Sequence, residues 1–230
     1  MSIDRIDAAP LARALTLFGF YSPNLPPRVI ALDLCERLLI ATIYGSFAWS
    51  MLRDFSGSAE VSTVLIVLSE SLPFLFVILR APSSTLSQRP SDWAIAIIAT
   101  IAPLFVRPDG SPAGPIGPAG LAYGIMLFGL SFQVAAKAVL GRRFGIVAAN
   151  RGVRDLGPYR FVRHPMYAGY TLTHVGFLIA MPSLSNAAIY AFATALQIVR
   201  IGREEHVLTR DPAYVAFAER VRYRLLPFVY

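Results

Sequence analysis

Long apolar runs separated by short polar, Gly- and Pro-containing breaks set the pattern of this chain; strand-like alternation is not its theme. The runs lie at about residues 29–52, 61–79, 93–106, 120–140, 165–181 and 187–210, and most approach the roughly 17–25 residues that carry a helix across a bilayer. They predict an all-α, polytopic helical membrane protein with about six transmembrane helices, forming a single integral membrane domain over residues 1–230. Residues 8–20 read as a short amphipathic helix lying on the membrane, stopped by Pro23, Pro26 and Pro27. The stretch RPDGSPAGPIGP at 107–118 is too rich in Pro and Gly for helix or strand and reads as a solvent loop. At the other end, Asp211-Pro212 has the form of a helix N-cap followed by proline in the first turn. The helix that follows carries Tyr214, Phe217, Ala218 and Val221 on one face, an interfacial pattern.

Composition agrees with a membrane setting: 55% of residues are hydrophobic and only 15% charged, and the mean hydropathy is +0.55. The first 28 residues hold Asp4, Asp7 and several prolines, so no cleavable signal peptide is expected. The net charge of +7 is divided by topology, which argues against nucleic acid as a partner. With six spans and the N-terminus inside, 18 of the 21 Lys and Arg residues fall in inner segments, against Arg53 and Arg107 outside. Both termini are therefore expected in the cytoplasm, with residues 141–163 and the C-terminal tail on that same side. A single cysteine, Cys35, excludes an internal disulfide, and three scattered histidines do not make a metal site.

Ionisable residues within apolar runs are the first candidates for chemistry. Asp33 and Arg37 are spaced i,i+4 and share a helix face, near Glu36. Glu70 falls in the middle of the second run, where a carboxylate needs a partner, and Arg37 is one candidate. In the fourth run Gly120 and Gly124 are spaced for a close helix approach. His174 and His206 read as structural. The richest stretch is GRRFGIVAANRGVRDLGPYRFVRHPMYAGY, residues 141–170. Pro165 fits the first turn of a helix, where free N–H groups and the helix dipole favour an anion. Tyr167 follows within a turn and offers both a π face and a hydroxyl. Further on, Arg200 and Glu204 share a helix face, with Glu205 adjacent. A carboxylate there suits the paired hydroxyls of a ribose, and an arginine suits a carboxylate.

The motif GPYRFVRHPMYAGY, followed about 30 residues later by R-x3-EE and a Tyr/Arg-rich tail, resembles the isoprenylcysteine carboxyl methyltransferase and phospholipid methyltransferase families. The resemblance covers residues 141–230, making this the catalytic and cofactor-binding part, with 1–140 as N-terminal helices. It implies an integral membrane methyltransferase that uses S-adenosylmethionine. Carried onto matching positions, it implies cofactor contacts from Tyr159, from His164, Pro165, Met166 and Tyr167, and from Glu204 or Glu205. Arg200 would contact the methyl acceptor, a lipid or lipidated molecule bearing a carboxylate or an amine. Many members have His-x-Leu-Val where this chain has Arg151-Gly152-Val153-Arg154, so contacts there should differ. Two other classes compete. The tail ERVRYRLLPFVY is similar to the C-termini of membrane sterol reductases, which use NADPH. A non-catalytic subunit or transporter would instead line a path with Asp33, Glu36 and Glu70.

Overall fold

A computed structural model describes residues 27–53, 61–79, 87, 89–107 and 114–230. The expected amphipathic helix at 8–20 lies outside these, as does most of the linker after the second run. Among the described residues the chain is helical throughout, without a strand. Helices α1 (Pro27–Arg53), α2 (Val61–Leu79), α3 (Pro90–Ile101), α4 (Ala119–Leu140), α5 (Pro165–Ala180), α6 (Leu184–Leu208) and α7 (Pro212–Arg220) follow in order. Short 3-10 turns occupy Ala102–Phe105, Gly141–Arg143 and Gly157–Arg160. Each of the six apolar runs is a helix, and α3 gives way to a 3-10 turn at Pro103, where the backbone loses a donor.

Two helices among the described residues are long and apolar enough to cross a membrane by length and composition, Ala119–Arg143 and Leu184–Leu208. Their surfaces remain apolar where they face outward: Phe128 is 61% exposed and Phe192 55%. Exposed apolar side chains of that size are what a membrane-facing surface would carry. α5, at 16 residues, is only about 24 Å long at 1.5 Å per residue.

The tightest helix pair is α4 against α5, and glycines set its distance. A Cβ on Gly129 would lie 2.7 Å from Gly169 O and Thr173 N, and one on Gly169 2.7 Å from Gly129 O. A Cβ on Gly176 would meet Ala122 O at 2.8 Å. The expected pair Gly120 and Gly124 does not serve this purpose, since both face open space. The close approach uses another face of α4, from Ala122 to Gln133, where α5 supplies its own glycines seven residues apart.

Polar side chains thread the bundle in pairs. Arg37 Nε reaches Asp33 Oδ2 at 2.7 Å, the expected i,i+4 pair. Glu70 does not pair with Arg37; its Oε1 meets His174 Nε2 at 3.2 Å. His174 is thus a core histidine, its ring stacked on Tyr190 at 4.0 Å. Gln133 donates to Ser69 Oγ at 2.6 Å and accepts from Lys137 Nζ, which stands over the Tyr170 ring. These pairs give the buried charges and amides partners within or between helices, as low dielectric demands.

Candidate functional site

Four pieces converge at one end of the bundle: the loop 144–164, the start of α5, the last two turns of α6, and α7 with the tail. Pro165 opens α5 as expected, with His164 as its cap residue. The free N–H groups expected there are largely taken. Arg163 and His164 donate their backbone N–H to the carbonyls of Tyr223 and Arg224 at 2.9 and 2.8 Å. Those of Tyr167 and Ala168 turn back to His164 O. The C-terminal tail thus pairs with the loop as a short backbone clasp just before the helix start.

The adjacent carboxylates on α6 point to different tasks, being about 100° apart around the helix. Glu204 accepts at Oε1 from Tyr167 Oη at 2.6 Å and from Arg200 Nε at 3.1 Å. The Arg200 guanidinium also lies 5.2 Å from the centre of the Tyr167 ring. Glu205 is enclosed by donors. Its Oε1 meets His164 Nε2, Tyr214 Oη and Arg163 Nε, each at 3.3 Å, and its Oε2 meets Arg224 Nε at 2.7 Å. That carboxylate ties α5, α6, α7 and the tail together.

The loop is pinned on both edges. Glu36 Oε1, from α1, accepts from Ile146 N and Val147 N at 3.1 Å each. Arg200 Nη2 donates to the Ile146 carbonyl and, at 3.5 Å, to that of Gly145. Further along, Asn150 Nδ2 donates to Asp211 Oδ2 at 2.8 Å, while Asp211 Oδ1 caps α7 through Ala213 N. These two bonds hold the Asp211 carboxyl below the usual carboxylate range. The apolar face of α7 closes on the protein: Tyr214 and Phe217 are buried beside Phe144, Val147 and Tyr159. Sequence reading assigned that face to the membrane surface; the packing uses it as a lid on the loop.

Between loop, α5, α6 and α7 lies a cleft of about 750 Å³, measured out to open solvent. Of the expected site residues, Tyr159, His164, Met166 and Glu204 line it. Glu205 does not, and Pro165 contributes by starting the helix. Burial, then the Glu204 charge, push the Tyr159 hydroxyl well above the usual phenol range, leaving it a donor at neutral pH. The opposite wall is basic, with Arg143, Arg151 and Arg154. Here the Arg151–Arg154 segment has its effect. Gly152 adopts φ +83°, and a Cβ there would come within 2.8 Å of Arg143 Nη1. A Cβ on Gly145 would collide with the Arg151 guanidinium. Two glycines thus seat two arginines.

Behind this cleft is a second, deeper and smaller cavity of about 30 Å³ between α1, α2, α3, α5 and α6. Tyr167 and Arg200, both expected at the site, line this cavity and not the cleft. Met166 borders both. The partition is therefore the Tyr167–Glu204–Arg200 triad, Met166 and the Gly145-Ile146 backbone. Sequence reasoning missed Glu36 as the loop's anchor and Tyr44, Thr100 and Gln197 as cavity residues. Glu36 carried a signal, being ionisable inside an apolar run; the other three carried none. Among the described residues no cluster of His, Cys, Asp and Glu could hold a metal ion.

The bundle thus joins two helices of membrane-crossing length and composition to a polar cleft at one end. Residues 116–212 match the family model of phospholipid methyltransferase. That stretch runs from just before α4 to the first residue of α7, so it contains Tyr159, the His164–Tyr167 turn, Arg200 and both glutamates. The family is one of methyltransferases, and the resemblance read in the motif is thereby shown over these residues. No curated protein matches the chain.

Proposed function

We propose that the protein transfers a methyl group from S-adenosylmethionine to an acceptor carried on a lipid or lipid-like tail. The observation that carries this reading is the pair of cavities back to back, separated by one layer of side chains. An in-line displacement needs donor and acceptor on opposite sides of the moving group, held at near-attack distance. A cleft open to solvent and a cavity reached from among the helices supply those two sides.

The residues of the cleft fit the cofactor. Glu204 presents a carboxylate to ribose hydroxyls or to a cation, the Tyr159 ring offers a π face, and the arginine wall matches an amino-acid carboxylate. Glu204 serves as the cofactor carboxylate in place of Glu205, whose oxygens are occupied. When bound, S-adenosylmethionine supplies a methyl already activated on a sulfonium, so the protein has to position the acceptor and exclude water. Arg200 and Tyr167 hold the partition, which keeps Glu204 fixed on the cleft side. His164 and Pro165 set the start of α5 so that Met166 sits at the junction of the cavities.

The six helical runs are read as six transmembrane helices with both termini in the cytoplasm, supported by the Lys and Arg distribution. The cleft then faces the cytoplasm, and the deeper cavity lies at membrane depth. The arginine wall also favours a second reading, a reductase binding the phosphate of NADPH. Calorimetric titration with S-adenosylhomocysteine and, in parallel, NADPH separates them. Micromolar binding of the former that is lost in Glu204→Gln supports methyl transfer; binding of NADPH alone replaces it with reduction.

A further inference from the structure

Residues 225–230, LLPFVY, form a tight turn outside the stretch that matches the family model. Its backbone hydrogen bonds close on themselves. The N–H groups of Arg224, Leu225 and Leu226 donate to Tyr230 O at 2.9, 2.7 and 3.1 Å. Those of Val229 and Tyr230 return to Leu226 O at 3.2 and 3.1 Å. Pro227 has no N–H to satisfy. A segment whose donors are met internally loses little by leaving water, which is the first requirement for contact with lipid.

The turn has one side on the bundle and one side bare. Leu225 is buried with Tyr167 and Ala168 of α5 and Ile201 of α6, and both Tyr230 and Phe132 of α4 pack on that cluster. Phe132 stacks in turn on Phe128, with ring centres 5.9 Å apart, on one of the two helices of membrane-crossing length. The turn therefore extends an apolar outer surface that begins on α4. On its bare side Phe228 is 87% exposed and Val229 77%, with Leu226 also exposed. Phe228 has φ +67°, the one positive value outside glycine among the described residues. That conformation is rare for a bulky side chain. Arg222 and Arg224 lie just ahead of the turn, the first exposed and the second 40% exposed at the side chain. On α7, by contrast, Tyr214 and Phe217 are spent inward, and the outward Val215 shares its surface with Arg210 and Glu219.

We propose that the turn 225–230 is a wedge into the phospholipid bilayer, with Leu226, Phe228 and Val229 seated at the boundary between headgroups and acyl chains. The assignment rests on the membrane reading above. Apolar interfacial segments bury their side chains about 5–10 Å into that boundary, and Arg222 and Arg224 then stand at the level of the phosphates. Three bare side chains are too few for a stable contact between copies of the chain, which buries about 800 Å² per partner. The wedge also fixes the height of the cleft. The tail accepts the backbone N–H groups of Arg163 and His164, and both residues line the cleft. The cleft wall is thereby held at headgroup level, where a solvent-borne cofactor and a lipid-borne acceptor can both reach it.

The test uses full-length Cys35→Ser protein in phosphatidylcholine nanodiscs, carrying a nitroxide on one introduced cysteine: Phe228→Cys, Val215→Cys or Phe128→Cys. Collision of the label with oxygen, which concentrates among acyl chains, is compared with collision with a water-soluble nickel chelate. The oxygen-to-nickel ratio should be severalfold higher in Phe228→Cys than in Val215→Cys, and highest in Phe128→Cys on the outer surface of α4. Val229→Cys gives the same reading if Phe228→Cys does not fold. A ratio at the wedge no higher than in Val215→Cys would overturn the assignment, and so would shielding of the wedge label from both reagents, which marks a protein partner. A high ratio in Phe128→Cys alongside either result leaves the membrane reading intact. A low ratio in Phe128→Cys as well sinks that reading itself.

Discussion

Neighbouring glutamates on α6 have opposite roles, and substitution should separate them. Glu204 is 18% exposed at the side chain and borders the cleft. Glu204→Gln keeps the shape and one acceptor but removes the charge offered to the cofactor. S-adenosylhomocysteine affinity should fall about 10-fold or more, with a smaller fall in thermal midpoint than in Glu205→Gln, since Glu204 has two side-chain partners and Glu205 four. Glu205→Gln should do the reverse. It leaves Arg163, Arg224 and His164 around an uncharged amide. Removing one member of a buried ion cluster costs on the order of 3–5 kcal/mol, reduced here because Arg224 is 40% exposed. A fall in thermal midpoint with cofactor affinity retained in the remaining folded fraction is the expected pattern. The sequence marked both residues but did not separate them, since adjacency on a helix says nothing about what stands opposite each one.

Among the elements, the loop and the α4–α5 pair make the sharpest claims. Ile146 and Val147 donate to one oxygen of Glu36, so Glu36→Gln weakens both bonds and Glu36→Ala removes them. The loop carries Arg151 and Arg154. Tryptic cleavage after Arg151 or Arg154 should therefore quicken several-fold in Glu36→Ala, because local opening governs cleavage. Gly169→Ala tests the helix pair. The added methyl would press on Gly129 O and on Gln133 from 2.7–2.8 Å, and overpacking of this kind costs typically 1–3 kcal/mol or more. A lowered thermal midpoint is expected, whereas Gly124→Ala, which faces open space, should leave it unchanged or raised. The motif G-x3-G drew attention to the wrong pair because small-residue spacing shows which helix can approach closely, not which face does.

For the molecule as a whole, the topology is the claim that the proposed site depends on. Cys35 is exposed, so labelling experiments begin from Cys35→Ser. Single cysteines at Arg154 and Arg222, both exposed, should react with an impermeant maleimide only from the cytoplasmic face. One at Leu184, 89% exposed at the start of α6, should react only from the opposite face. Labelling of all three from one side would remove the membrane crossing between cleft and turn. It would also move the deeper cavity out of the bilayer.

Periodicity and composition were enough to mark the helical runs, and they carry the expectation of a membrane setting with positive charge gathered on one side. These depend on properties each segment has alone: apolar length, prolines that end helices, and charge that resists translocation. The His164–Tyr167 turn and the R-x3-EE spacing were legible too, because a local motif is held within one or two turns. The partners were not. Glu70 meets His174 104 positions away, Glu36 meets a loop 110 positions away, and Glu205 joins four elements. Such pairings arise when helices with interchangeable apolar faces settle into one packing, and no single segment carries the information that selects it. The division of the site into a solvent cleft and a deeper cavity came from that packing alone.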